Sequence, residues 1–227
     1  MTEYKYEMHV HTSEGSSDSR MSGSDMVRHY MSLGYAGVCI TDHFTGSITR
    51  PLNEPWKKQM DVFCSGYEAA AKAAEGTNFQ VFFGLEYSDR GNDFLFFNLN
   101  KDWLVKNEDM CNIPLKELLT RVRSDGGFIV HAHPFLESDW IEMIRLLPHH
   151  VDAVEVCNTA IDPAKNIRAD WYADSYNLKK TGGSDLHYTE NRPSEGGIIA
   201  PRRAKDLQDL TDMIRAGETK VITDYRK

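Results

Sequence analysis

Two histidines in the run Glu7-Met8-His9-Val10-His11-Thr12 have the spacing of a metal site. Residues i and i+2 of an extended strand point to the same face, so a strand here would place His9 and His11 side by side. Paired neutral imidazoles suit Zn, Fe, Mn or Ni better than they suit Mg or Ca. Because an isolated HxH is often just two surface histidines, the interpretation depends on the rest of the chain.

Four further runs carry residues of metal-ligand type, and each comes at the end of a segment that predicts a β-strand. They are Thr41-Asp42-His43, Gly84-Leu85-Glu86, His131-Ala132-His133-Pro134 and Gly183-Ser184-Asp185-Leu186-His187. In a barrel of parallel strands, the carboxyl ends of all strands open on one face. We therefore expect these side chains to meet there, although they are far apart in sequence.

The elements that must position these side chains alternate between strand-like and helix-like patterns, which predicts a parallel sheet with right-handed crossovers. Apolar spacing predicts a long helix from Trp56 to about Ala74 and another from about Ser138 to Leu147, stopped by Pro148. Because no linker or internal repeat divides the chain, we expect residues 1–227 to form a single barrel domain.

The composition suits a globular domain with a full core, with 227 residues, 41% of them hydrophobic and 26% charged. The net charge of −8 argues against general nucleic-acid binding. It allows a small anionic substrate, because bound cations can invert the local field. The four cysteines lack a CxxC spacing, and the sequence has no signal segment or membrane-spanning run. We expect a cytoplasmic protein with reduced thiols, and the sequence leaves its oligomeric state open.

Taken in order, these motifs resemble the PHP (polymerase and histidinol phosphatase) family. The motifs that match run from His9-Val10-His11-Thr12 to Gly183-Ser184-Asp185-Leu186-His187, and the resemblance extends from residue 7 to about residue 200. It implies a distorted (β/α)7 barrel with its active site at the C-terminal ends of the strands. It also implies two or three divalent metal ions as cofactors (Zn, Mn or Fe), and its best known members hydrolyse phosphate esters.

Carried over by motif position, the resemblance implies a ligand for each ion. One ion would be held by His9, His11, Glu86 and Asp185. Glu86 would bridge it to a second ion that His133 also binds. A third ion would be held by Asp18, His43 and His187, with Asp18 standing where the family shows an Asp or His shortly after its HxH.

The chain departs from the family pattern after Glu86, where a further histidine is often found and residues 91–98 contain none. Two residues are candidates to complete the second site. Asp93 would do so as an oxygen ligand, and His131 because it shares strand parity with His133. We interpret Glu155 as structural. His29, His149 and His150 are interpreted as ordinary surface histidines.

The predicted function is hydrolysis of a small phosphate ester, a phosphomonoester such as histidinol phosphate or a nucleotide-type ester. Paired metals clamp phosphoryl oxygens and lower the pKa of bound water to about 7, so a metal-bound hydroxide needs no protein base. Arginine is the usual further clamp on phosphate. Among Arg20, Arg168, Arg192, Arg202 and Arg203, we select Arg192, which lies five residues beyond His187.

Two other functions fit the sequence. A metal-dependent amidohydrolase also opens with HxH on a strand, but it usually needs a bridging lysine or similar ligand midway, where this chain has Glu86. A non-catalytic metal-binding module of a larger assembly is the other. The nearly complete ligand set and the stand-alone length argue against that module.

Overall fold

The computed structural model describes residues 3–190 and 195–223, and within these ranges the strands form one sheet around which the helices pack. The strands are β1 (Tyr4–Val10), β2 (Gly37–Ile40), β3 (Gln80–Asp89), β4 (Asn92–Phe97), β5 (Phe128–Ala132), β6 (Ala153–Asn158), β7 (Lys179–Gly183), β8 (Ile198–Ala200) and β9 (Lys220–Val221). The helices are α1 (Gly23–Ser32), α2 (Trp56–Phe63), α3 (Ser65–Ala74), α4 (Lys101–Lys106), α5 (Leu115–Ser124), α6 (Pro163–Ser175) and α7 (Leu207–Ala216). None of the helices in the described ranges is long and apolar enough to cross a membrane.

The sheet is nearly closed into a barrel, as the sequence predicts. Its strand order is β7-β6-β5-β4-β3-β2-β1-β8-β9, and the end of β1 lies beside the residues that follow β7. At this seam the backbone nitrogen of Asp185 donates to His9 at 2.8 Å, and that of His11 donates to Leu186 at 3.0 Å. First and seventh strands therefore meet at the place where their ligand-type side chains lie.

The expectation of a parallel sheet is wrong at β8, which is antiparallel to β1 and β9, and at β4, which is antiparallel to both β3 and β5. At β4 the cause is the tight turn between β3 and β4, where Arg90 and Gly91 both have positive φ (54° and 75°). A turn this short leaves no room for a crossover helix, so the chain must reverse. The described sheet is thus a barrel of mixed direction and does not repeat a single βα unit.

A β-bulge interrupts β1 between Glu7 and Val10, the interval that contains His9. Glu7 pairs with Val38 and Val10 pairs with Ile40, so β1 has one more residue than β2 over this interval. The buried Glu7 carboxylate accepts from the backbone nitrogens of Met8 at 2.9 Å and His9 at 3.0 Å. It therefore satisfies the two amides that the bulge would otherwise leave without a partner.

Two helix predictions are wrong. The predicted helix from Trp56 to Ala74 is two helices, α2 and α3, separated at Cys64. In α3, Gly66 packs so closely against Thr12 and Gly23 that no side chain would fit there. This close contact sets the direction of the α3 axis. The other segment, predicted as helix Ser138–Leu147, contains no helix at all.

Residues 136–147, called the rim segment below, are kept in a non-helical conformation by contacts with the β3–β4 turn. The side chain of Asn92 donates to Met143 O at 3.3 Å and accepts from the backbone nitrogen of Arg145 at 2.9 Å. Arg145 also pairs with Asp89 at 2.6 Å. These bonds occupy backbone groups that a helix would need for itself, so tertiary contacts override the apolar spacing.

Candidate metal centre

Two carboxylates lie at the centre of a group of histidines at one end of the barrel. Glu86, which is buried, reaches His43 Nδ1 at 2.6 Å and His133 Nε2 at 3.1 Å. Its two oxygens also lie 3.3 Å from His9 Nε2 and 3.6 Å from His11 Nε2. One side chain of β3 thus faces imidazoles from three other parts of the chain.

Asp185 faces the histidines of the centre from the side opposite Glu86. Its carboxylate lies 3.1 Å from His11 Nε2, 3.5 Å from His9 Nε2 and 3.6 Å from His187 Nδ1. Asp185 has a φ of 54° and His133 a φ of 25°, values that residues other than glycine rarely adopt. Such backbone strain concentrates at functional sites, where the surrounding structure holds it in place.

The group predicted to bind a third ion lies at the outer edge of this centre. Asp18 is 43% exposed and lies 3.4 Å from His43 Nε2 and 3.5 Å from His187 Nε2. The Nε2 atoms of His43 and His187 are 3.4 Å apart. The structure therefore brings all eight residues named as ligands into one place, and their roles as ligands stay predictions.

Four overlapping sets of donor atoms within this centre are close enough to share an ion. They are His9/His11/Glu86, His9/His133/Asp185, Glu86/Asp93/His133 and His11/His43/His187, with the atoms of each set within 4.8 Å of one another. His9 Nε2, His11 Nε2 and Glu86 Oε2 are buried and lie close to other donor atoms of the centre, but none of these contacts has the angles of a hydrogen bond. Because a buried polar atom without a partner is costly, this donor set fits divalent cations well.

Of the two candidates to complete the second site, only Asp93 faces it. Asp93 Oδ2 lies 3.8 Å from His133 Nδ1, whereas His131 stacks on Phe94 with ring centroids 4.8 Å apart. The parity argument for His131 is wrong, because β5 ends at Ala132 and the positive φ of His133 breaks the alternation. Outside the centre as well, His29 packs on Tyr30 and His149 on Tyr176.

Glu155 supports two of the histidines from behind. Its Oε1 accepts from His9 Nδ1 at 3.0 Å, and its Oε2 accepts from the backbone nitrogen of His133 at 3.0 Å. Asn158 donates to the same carboxylate at 3.1 Å. With Nδ1 of His9 committed to this bond, Nε2, which points to Glu86 and Asp185, is the nitrogen that would bind a cation once its proton is released. The sequence signal that was missed is an acidic residue within the otherwise apolar strand β6.

A second support holds His11. Its Nδ1 lies 3.2 Å from Ser16 Oγ, which in turn donates to Asp42 at 2.8 Å. The buried Asp42 also accepts from the hydroxyl of Thr12 at 2.7 Å. The motif Thr41-Asp42-His43 does not by itself indicate a role for Asp42. In the structure, Asp42 fixes the loop that carries Ser16, and Ser16 in turn holds the ring of His11.

The histidines of the centre differ in pKa because their surroundings differ. Burial lowers the pKa of His9, but the carboxylates of Asp185, Glu155 and Glu86 raise it more, so it lies well above its usual value. Burial and the neighbouring His43 and His187 lower the pKa of His11 to about 3. Burial would raise the pKa of Glu86, but the surrounding histidines hold it well below its usual value. Glu86 is thus ionised and His11 is neutral, the states in which these two groups bind metals, whereas His9 must release a proton before it can bind one.

The centre forms the floor of a cleft of about 630 Å³. Its walls are formed by Thr45, Gly46, Ser47, Ser88, Gly91, Leu136 and Trp140. Among the described lining residues there is no lysine and no arginine. A cavity of this volume fits a small organic molecule rather than a bare phosphate ion.

Three of the five arginines considered as phosphate clamps, Arg168, Arg202 and Arg203, contact residues outside the cleft. Arg192, our selected residue, lies outside the described residues. Arg168 pairs with Glu137 at 2.6 Å and Arg202 pairs with Asp209. Arg203 donates to the backbone of Asn78. Arg20 is adjacent to the centre, since its backbone nitrogen donates to His187 O at 2.9 Å, and its guanidinium lies over the ring of Tyr188.

Fold and site together define an α/β protein whose barrel-like sheet gathers histidines and carboxylates at the ends of its strands. The model of the PHP domain family matches residues 7–147, more than half of the chain, and the protein belongs to that family. The predicted resemblance is thereby confirmed.

Solved structures share the fold. A two-domain protein from Bacteroides vulgatus that contains a predicted PHP-like metal-dependent phosphoesterase is 15% identical, with a TM-score of 0.73; the alignment covers 98% of this chain and 65% of that one. PsfC from Pseudomonas syringae is 17% identical, with a TM-score of 0.70 and coverage of 100% and 93%. An amidohydrolase from Chromobacterium violaceum with bound sulfate is 12% identical, with a TM-score of 0.59 and coverage of 99% and 100%. No curated protein matches the sequence.

Proposed function

We propose that this protein, acting as a single barrel domain, is a metal-dependent hydrolase that cleaves a small phosphate monoester. The observation that carries the proposal is the convergence of buried imidazole and carboxylate atoms, several without hydrogen-bond partners, on the floor of an open cleft. In the reaction, the oxygen of water becomes bonded to phosphorus and the bond between phosphorus and the alcohol oxygen breaks.

The residues of the centre would hold two or three divalent ions, Zn, Mn or Fe, by the assignments made from the motifs. Such cations neutralise phosphoryl oxygens and lower the pKa of water to about 7. The chain itself orients the donors, because Glu155 fixes the ring of His9 and Ser16 fixes that of His11. The imidazoles bind without adding charge, while Glu86 and Asp185 offset the repulsion between neighbouring cations.

The charges at the floor favour divalent cations. Glu86 and Asp185 have pKa values well below their usual range because histidines surround them, so both are ionised. Divalent cations would replace the protons of the neighbouring histidines and would supply positive charge for a phosphorylated substrate.

An amidohydrolase is the second candidate, and the shared fold of the Chromobacterium violaceum amidohydrolase supports it. Against it, Glu86 stands where a bridging lysine is expected, and no lysine lines the described part of the cleft. A non-catalytic metal-binding module is third. The open cleft of about 630 Å³ above the centre argues against that module, since a purely structural site needs no such access.

The test combines metal content with a substrate panel. The purified protein is loaded with Mn²⁺ or Zn²⁺, its ions are counted by elemental analysis, and phosphate release is measured from p-nitrophenyl phosphate and a panel of phosphorylated metabolites. We expect turnover that His9→Ala and Asp185→Asn abolish, while His149→Ala, an exposed histidine outside the centre, leaves it unchanged. Cleavage of cyclic amides without phosphate release would instead support the amidohydrolase. The absence of both activities would support the binding module.

A further inference from the structure

The rim segment places a large aromatic side chain on the wall of the cleft. Trp140 lines the same cavity as His133, Asp185 and His187, yet it is 73% exposed. An indole that is exposed in a cleft wall keeps most of its apolar area available for a ligand. Leu136, in the same segment, adds a second apolar side chain to this wall.

The position of Trp140 is fixed by its neighbours. The backbone nitrogen of Leu136 donates to His133 O at 2.8 Å, which ties the start of the rim segment to the metal centre. Ile141 packs against Gly91, where a Cβ atom would lie only 2.8 Å from Ile141 Cγ1. The backbone of Trp140 therefore lies between two anchored points, which keeps its side chain on this wall of the cleft.

The remaining lining decides what kind of group fits beside the indole. Thr45, Ser47 and Ser88 are neutral, the charged residues of the described lining are the acidic and histidine side chains of the floor, and no lysine or arginine is present there. A leaving group with further negative charges would find no cationic partner in these walls. An uncharged ring would find an aromatic face and apolar contact.

We propose that the cleft selects phosphate monoesters whose leaving alcohol carries an uncharged aromatic ring, which packs on Trp140 while the phosphate binds at the floor. This inference rests on the proposed function and names its substrate class. Trp140 is a specificity-determining residue in this proposal. Water replaces the ring-bearing alcohol at phosphorus, so the products are that alcohol and inorganic phosphate.

The test compares benzyl phosphate with ethyl phosphate, whose leaving alcohols are of similar acidity, on the Mn²⁺-loaded protein. We expect Trp140→Ala to lower kcat/KM for benzyl phosphate about tenfold and to change that for ethyl phosphate less than about twofold. Trp140→Phe should retain most of the preference. The matched control is Trp171→Ala, because Trp171 is equally exposed at 73% but lies on α6, outside the cleft.

Calorimetry of benzylphosphonate and ethylphosphonate binding gives a readout that does not depend on turnover. We expect the wild type to bind benzylphosphonate about tenfold more tightly and Trp140→Ala to lose that preference. Equal losses for both esters, or a benzyl preference that Trp140→Ala retains, would overturn the inference while leaving the proposed function intact. If phosphate is released neither from these two esters nor from the panel described above, the proposed function fails, and the two phosphonates still decide the role of Trp140.

Discussion

The Glu155 carboxylate accepts a hydrogen bond from Nδ1 of His9 at 3.0 Å, so an acidic residue of β6 sets the ring orientation of a histidine of β1. Partners of this kind raise the basicity of a ligating imidazole and fix its tautomer. We predict that Glu155→Gln lowers the affinity for Mn²⁺ or Zn²⁺ about tenfold, measured by competition with a chromophoric chelator. The control is Glu137→Gln, which alters an exposed glutamate paired with Arg168. An affinity equal to that of the wild type would show that Glu155 is structural only.

A second prediction distinguishes Asp93 from His131. Because Asp93 lies with Glu86 and His133 while His131 packs on Phe94, only Asp93 can contribute to an ion at that end of the centre. We predict that Asp93→Asn lowers the number of tightly bound ions by one, measured by elemental analysis after dialysis.

His131→Phe is the matched variant for that measurement. Both ring nitrogens of His131 are buried without partners, and burial lowers its pKa to about 3. A phenyl ring is larger than an imidazole, but it keeps the ring on Phe94 and removes two unsatisfied polar atoms, so we expect unchanged metal content. Loss of an ion in His131→Phe would reverse the assignment.

A third prediction concerns the bulge in β1. One oxygen of Glu7 accepts from the backbone nitrogens of Met8, His9 and Ser184, the last at 3.0 Å across the seam of the barrel. Glu7→Ala leaves these buried donors without an acceptor, at roughly 1–3 kcal/mol each. We expect the free energy of unfolding, measured in urea, to fall by about 3 kcal/mol or more. Glu7→Gln keeps an acceptor oxygen and should lose clearly less; equal losses in the two variants would contradict this account.

A fourth prediction concerns removal of the ions. Ligands that bind only the folded state stabilise it by about 2.7 kcal/mol at one hundred times their Kd. The thermal midpoint should therefore rise when Mn²⁺ is added to the chelator-treated protein. Asp185→Asn should abolish most of that rise, because Asp185 contacts His9, His11 and His187. The thermal midpoint of His149→Ala should rise as much as that of the wild type. A wild-type midpoint that does not respond to Mn²⁺ would count against the candidate centre.

The sequence was most informative at the strand ends. The strands that lead to His9, His43, Glu86, His133 and Asp185 were predictable because short apolar runs are followed directly by polar, ligand-type residues. Given a barrel, the rule that the carboxyl ends share one face is enough to bring these residues together. This local pattern does not depend on how the helices outside the barrel are arranged.

What could not be predicted depends on contacts between distant residues. The rim segment has helical apolar spacing, but Asn92 and Asp89 bind Met143 and Arg145 and hold it open. Likewise, His131 and His133 would point to the same face of a continuous strand. The sequence does not indicate that His133 has positive φ, which ends that alternation. The supports from Glu155 and Asp42 are single acidic residues, which only the assembled structure distinguishes from ordinary structural ones.

The seam between β1 and the residues after β7 has a consequence for folding. His9 and His11 lie on one side of it, and Asp185 and His187 on the other, so an ion shared across it acts as a reversible crosslink between distant parts of the chain. Because the ion binds the folded state, it stabilises the closed seam relative to states in which the seam is open, which makes the barrel more cooperative. Hydrogen exchange at the amides of His11 and Asp185 should therefore slow sharply when cations bind. The exchange rates of the strands on the side of the barrel opposite this seam should change less.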